Sequence, residues 1–235
     1  MKSTIHPRSS RLPIRFRELH GFTVTELLVA IGLIAVLAVA LLGLSAGLRG
    51  RSNAATCVNH LKQLALYFNV YASDHDGYYP HVARYSAGGV GQHWYYNTEL
   101  LSLMQIPVSN VWKGKVPFYL CPEDQNGMST AFGGVRVLSY GFNIAVGSGG
   151  SNGYTSGKYI RTRSSQINQP SKLLLACDAS EYYLQVKSKA VPKAVYRHRG
   201  GANVAFCDGH VAWMEGPLPT STQDPDLWWP DGVAR

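Results

Sequence analysis

Two sets of residues in this chain have the types and spacing to do chemistry. The first is His198, Asp208 and His210, two imidazoles and a carboxylate within thirteen residues, a set suited to metal ligation or general acid–base work. The second is the four cysteines, Cys57, Cys121, Cys177 and Cys207, which could hold a soft metal or form disulfides. For the first set a structural role is the simpler reading. Asp208-Gly209 sits between apolar runs, where such a pair marks a hairpin turn, and no nucleophile elbow or metal-binding helix motif supplies the rest of an active site. His198 would then donate to a backbone carbonyl or to Asp208 and lock the preceding loop. For the second set, zinc lacks a close Cys-x-x-Cys pair.

The elements that position these residues follow from periodicity. Segments 203–207 and 210–214 read as strands joined by a two-residue type I′ turn, with Phe206 opposite Val211 and Val204 opposite Trp213. That register puts these four side chains on one face, ready to lie on a helix. The helix is found upstream. Ala54, Cys57, Val58, Leu61, Leu64, Ala65, Phe68, Tyr71 and Ala72 recur at intervals of three and four, and Asp76-Gly77 followed by Pro80 stops the stripe. Between helix and hairpin, 114–121, 135–140 and 172–177 read as strands of a small antiparallel sheet. Segment 101–107 fits helix or loop equally, and 147–153 has too little apolar surface to order itself. Pro217, Pro219, Pro225 and Pro230 forbid a continuous helix in the tail, where Trp228 and Trp229 either dock as a staple or form an exposed patch.

The most unusual stretch is 20–48. From 27 to 48 no residue is charged, a run of 22 residues or roughly 33 Å of helix, which matches a bilayer's hydrocarbon core. A carboxylate one turn inside such a run, here Glu26, costs about 2–3 kcal/mol at mid-membrane depth and calls for a cationic partner. A secretory signal would end near Ala38-Val39-Ala40, but the apolar run continues past it, and a buried core helix would carry a polar face.

Gly21-Phe22-Thr23-Val24-Thr25-Glu26-Leu27-Leu28-Val29-Ala30-Ile31, behind a basic leader, resembles the processing site of type IV prepilins and type II secretion pseudopilins. The resemblance implies a prepilin peptidase that cuts between Gly21 and Phe22, methylation of the new Phe22 amino group, and pairing of that group with Glu26 of a neighbouring subunit during assembly. The segments 57–64 and 76–80 resemble pseudopilin-like proteins with an H-X9-DG motif. So does 196–211, where His198 and nine further residues precede Asp208-Gly209; Ser139-Tyr140-Gly141-Phe142-Asn143 is another such patch.

The implied fold is α+β, a pilin-like lollipop whose long N-terminal helix, transmembrane in its first half, packs on a small antiparallel β-sheet. The divisions are a cytoplasmic leader 1–21, a transmembrane and assembly helix 22–48, an extracytoplasmic globular domain 49–215 and a tail 216–235. The globular domain holds helix 49–76, the sheet and the hairpin 198–214. The implied partners are the inner membrane, the prepilin peptidase, other pilin or pseudopilin subunits, and an assembly platform with its ATPase. No cofactor is required, although some pseudopilins hold calcium in a C-terminal loop. Asp178 and Asp208 are the candidate ligands here, with Asp74 and Asp76 as further oxygen donors.

Charge narrows the function classes. The net charge is +8, but Lys2, Arg8, Arg11, Arg15 and Arg17 against Glu18 put +4 of it in the leader, where it reads as a positive-inside signal. The expected location is therefore the inner membrane, single-pass with the C-terminal domain in the periplasm, or a fibre assembled from it. An even set of cysteines there is consistent with two disulfides. Three pairings are allowed, and the similar endings Cys177-Asp178 and Cys207-Asp208 favour Cys177 with Cys207 and Cys57 with Cys121. Lys187, Lys189, Lys193, Arg197 and Arg199 with Tyr182, Tyr183 and Tyr196 form a modest nucleic-acid candidate, outweighed by a plain solvated face. The sequence points to a structural subunit, not an enzyme.

Overall fold

The computed structural model describes residues 22–85, 91–125, 128–129, 135–147, 162–184 and 193–233. The leader with Gly21, the 148–153 loop, Lys187 and Lys189 lie outside them. Helix α1 (Val24–Asp74) opens with a capping box. Thr23 donates to Glu26 Oε2 from its backbone N–H and its hydroxyl, both at 2.8 Å, and Thr23 Oγ1 accepts from Glu26 N at 3.3 Å. The helix closes where Asp76 (φ 55) and Gly77 (φ 83) turn left-handed and the Gly77 N–H donates to the Ala72 carbonyl at 2.8 Å.

The chain divides into two units, Met1–Ala46 and Gly47–Arg235. In the first, every described side chain from Phe22 to Ala40 is exposed. In the second, Cys57, Leu61, Leu64, Ala65, Phe68, Tyr71 and Ala72 are buried as the stripe requires.

Their cover is a five-stranded sheet built from β5 (Tyr140–Asn143), β6 (Leu174–Asp178), β7 (Tyr183–Leu184), β8 (Gly201–Phe206) and β9 (Val211–Glu215), in the order β7-β5-β6-β8-β9. Strands β5, β6 and β8 are buried at every position, because α1 covers one face and residues 218–229 cover the other. On the second face Leu174, Cys177, Val204 and Phe206 meet Leu218, Leu227, Trp228 and Trp229. The two tryptophans thus dock as a staple, aided by α5 (Pro225–Trp228) and by Trp228 Nε1 donating to the Pro219 carbonyl at 2.7 Å. Asn143 ties tail to sheet, donating from Nδ2 to the carbonyls of Leu174 (2.8 Å) and Trp228 (3.2 Å). The remaining elements rim the α1 side: hairpins β1 (Ala83–Tyr85) with β2 (Gly91–His93) and β3 (Met128–Ser129) with β4 (Arg136–Leu138), and helices α2 (Thr98–Leu103), α3 (Val108–Trp112) and α4 (Ile144–Gly147). Trp94 is the hub there, edge-on to Phe68 and Tyr119, with Nε1 donating to the Tyr182 carbonyl at 2.6 Å.

Several expectations need correction. The sheet is mixed, not antiparallel, because β7 runs parallel to β5. Among the described residues no helix is long and apolar enough to cross a membrane. The side chains of residues 41–49, the second half of the expected span, lie outside the described ones. The transmembrane first half, the single-pass inner-membrane location and the lollipop reading that contained them are therefore set aside.

Segment 114–121 is not a strand. Residues 117–119 form a 3-10 turn started by Pro117, which cannot donate to a ladder. Segment 101–107 is helical only to Leu103, in α2.

The hairpin register differs from expectation by one residue: Ala205 faces Val211 and Val204 faces Ala212. Gly209 N donates to the Phe206 carbonyl and Phe206 N to that of His210, both at 2.9 Å, so the loop has three residues, 207–209, with Gly209 left-handed at φ 93. A shift of one swaps the faces. Ala205, Cys207 and Val211 look toward α1, while Val204, Phe206, Ala212 and Met214 look toward the tail.

Candidate functional site

Among the described residues, the most charged buried region lies at the open end of the β8–β9 hairpin. Arg197 and His198 arrive there on the turn before β8, Asp178 ends β6, and Glu123 and Asp124 follow Cys121. A disulfide joins Cys57 on α1 to Cys121, with a Cα–Cα distance of 5.4 Å, and pins this loop to the helix. One turn further along α1, His60 Nδ1 meets the Leu120 carbonyl at 3.1 Å. Burial lowers the His60 pKa, which that carbonyl contact only partly offsets.

Arg197 Nη1 lies 2.9 Å from Asp124 Oδ2 and 3.7 Å from Asp178 Oδ1. It also donates to the Ser139 carbonyl at 3.2 Å, while Nη2 donates to that of Ala179 at 3.1 Å. The Asp178 side chain, 0 % exposed, accepts from the Asn203 N–H at 2.8 Å and lies 3.4 Å from His198 Nε2. His198 Nδ1 faces Glu123 Oε2 at 2.8 Å, and its Nε2 lies 3.4 Å from Cys121 Sγ. Three carboxylates against one guanidinium leave room for a second cation. Burial alone would lower the His198 pKa, but hydrogen bonding to Asp178 and the charges of Asp178 and Glu123 outweigh it and raise the value.

The spacing of the H-X9-DG pattern now has a physical reading. His198 stands at the base of the hairpin and Asp208-Gly209 at its tip, so the nine residues between them span a turn and one strand. His198 does not reach Asp208. At the tip, Asp208 Oδ1 accepts from the His210 N–H at 3.1 Å and meets its Nδ1 at 2.6 Å, while the His210 ring stacks on Phe206. Asp178 lies beside Asn203, so Asp178 and Asp208 are separated by about 16 Å of strand at 3.3 Å per residue and do not form one calcium site. Asp74 and Asp76 belong to the far end of α1.

Cys177 and Cys207 are free and buried, not paired. Cys177 is opposite Val204 and faces the tail core, whereas Cys207 lies beyond β8 and faces α1, so the sheet separates them. Burial raises both thiol pKa values. The basic, aromatic stripe is also broken up. The Arg197 side chain is only 8 % exposed and serves the ion cluster, Tyr196 OH accepts from Leu218 N, and Tyr182 joins His93 and Tyr95 in a ring cluster.

Glu26 is not left waiting for a cation, since its carboxylate completes the cap of its own helix; the backbone and side-chain hydrogen bonds of Thr23 lower its pKa. Phe22 beside it is 89 % exposed. The roles of Glu123, Asp124 and Arg197 were not read from the sequence. Their one sequence signal is adjacency, Glu123-Asp124 after Cys121-Pro122 and Arg197 before His198. Comparison with protein-family models, with curated proteins and with solved structures finds no match.

Proposed function

We propose that this chain is a pseudopilin-like structural subunit, cut between Gly21 and Phe22, methylated on Phe22 and assembled into a type II secretion or type IV pilus-like fibre through the first part of α1. The observation that carries this reading is the bare apolar helix. Leu27, Leu28, Val29, Ile31, Leu33, Ile34, Val36, Leu37 and Val39 are each more than half exposed. Covering nine such side chains is worth on the order of 10–20 kcal/mol before association costs. Copies of the same helix, side by side, are a cover with matching length and chemistry.

Glu26 gives the stack a register. A carboxylate has about four acceptor sites, so it can hold the Thr23 cap and still take the Phe22 amino group of a neighbour in the dry interior of a fibre. The globular unit, with its disulfide and buried ion cluster, is the folded part that such a subunit carries. The test is a variant series in cells. Gly21→Ala leaves the band unshifted and uncut. Glu26→Ala is cut but makes no fibres, whereas Thr23→Val, which removes the cap hydroxyl and keeps the carboxylate, still makes them. Normal fibres from Glu26→Ala would refute the charge pairing.

A further inference from the structure

Cys57 Sγ, Cys121 Sγ and a ring nitrogen of His198 lie within 4.8 Å of one another, and all three residues are buried. The 3.4 Å from His198 Nε2 to Cys121 Sγ is close to the ligand–ligand edge of a tetrahedral site with metal bonds of about 2.0 Å to nitrogen and 2.3 Å to sulfur. Glu123 Oε2 lies 2.8 Å from the other ring nitrogen, the side of the ring where a carboxylate supports a metal-bound imidazole. Asp178 Oδ2, 3.4 Å from Nε2, is within reach of a fourth position. His198 and Glu123 also line a cavity of about 600 Å³ together with Ala54, Val58, Asn203 and Trp213. Soft donors, spacing and a neighbouring carboxylate converge on one point. The disulfide excludes metal binding in the oxidised chain, because it uses both sulfurs.

We infer that the Cys57–Cys121 disulfide is the metal-free state of a redox-controlled centre, and that the reduced chain holds one zinc-like divalent cation on Cys57, Cys121 and His198. The switch balances with a dithiol reductant. One of its thiolates attacks a sulfur of the disulfide and breaks the S–S bond, and its second thiolate displaces the mixed disulfide. The reductant leaves as its own disulfide, having given two electrons, and the protein keeps two thiols. The cation then displaces their protons and any proton on His198 Nε2.

The full chain carrying Cys177→Ala and Cys207→Ala, which leaves these two cysteines as its only thiols, is titrated with Co²⁺ in oxidised and dithiol-reduced form. The expected result is one Co²⁺ per reduced chain, with a thiolate-to-cobalt band that Zn²⁺ abolishes, and no band for the oxidised chain. Glu123→Gln weakens binding 10- to 100-fold but keeps the band, as loss of a supporting carboxylate does. His198→Gln weakens binding at least tenfold. Melting supplies a second readout for a reduced chain that is poorly folded: Zn²⁺ raises its melting temperature and leaves that of the oxidised chain unmoved. A reduced chain with no cobalt band and no zinc-dependent melting shift would overturn the inference. So would binding of equal strength in His198→Gln.

Discussion

Arg197→Met is the sharpest test of the buried ion cluster. Methionine keeps an apolar stem in the same channel but removes the charge and the donors. Asp124 and Asp178, with side chains 7 % and 0 % exposed, then lose the guanidinium at 2.9 and 3.7 Å, and the Ser139 and Ala179 carbonyls lose their bonds. Breaking a buried ion pair from one side costs about 3–5 kcal/mol, since the stranded charge has no water to turn to. For a unit of this size each kcal/mol lowers the melting temperature by about 2–4 °C, so a drop of about 6–20 °C is expected. Urea unfolding followed by circular dichroism measures the same loss directly, with an unchanged slope showing that the unfolded state is not the cause. Adding Asp178→Asn, which keeps an acceptor for the Asn203 N–H but removes one stranded charge, recovers about 0.5–3 kcal/mol of the loss. A loss below about 1 kcal/mol for Arg197→Met, or no recovery in the double variant, would refute the view that these charges hold the loop after Cys121 to β6 and β8.

Three further outcomes follow from the same contacts. Because the folded His198 pKa is raised, its protonation stabilises the fold fully below the ordinary imidazole value near about 6.5, and that share is lost as pH rises through the higher folded value. The stability advantage of the wild type over His198→Gln, measured by urea unfolding across this range, therefore shrinks with rising pH; an advantage that grows would contradict it. Trp228→Ala removes a side chain that is 1 % exposed and costs about 3–5 kcal/mol, and a loss under about 1 kcal/mol would mean the tail does not staple the sheet. Gly209→Ala costs about 1–2 kcal/mol from the left-handed turn alone, since only Asn69 Nδ2, at 3.8 Å, lies near the added carbon; an unchanged urea midpoint would argue against the three-residue loop.

The sequence made some of this legible and hid the rest for physical reasons. The stripe from Cys57 to Ala72 was readable because one face of α1 is buried and the other wet, which writes a period of three and four into the residues. The place of the hairpin was readable from Asp208-Gly209, but its register was not. With both faces of β8 covered, Ala202 to Phe206 are apolar or small almost throughout and do not record which side faces α1. The same continuity made Cys177 and Cys207 look like partners. The ion cluster was invisible because Glu123, Asp124, Arg197 and His198 sit in charged, loop-like segments that resemble solvated surface until the fold brings them to Asp178. Thr23-Val24-Thr25-Glu26 spells a capping box, but a carboxylate at the head of an apolar run fits a distant cation as well as the hydroxyl three residues away, and the sequence does not separate the two.

The subunit assignment rests on a chain that begins its working life at the foot of α1. The mass of the protein's N-terminal peptide, recovered from the cells that make it, tests this most directly. The account predicts a first residue of Phe22 carrying one added methyl group. A peptide beginning at Met1, or one beginning near Ala40, would contradict it.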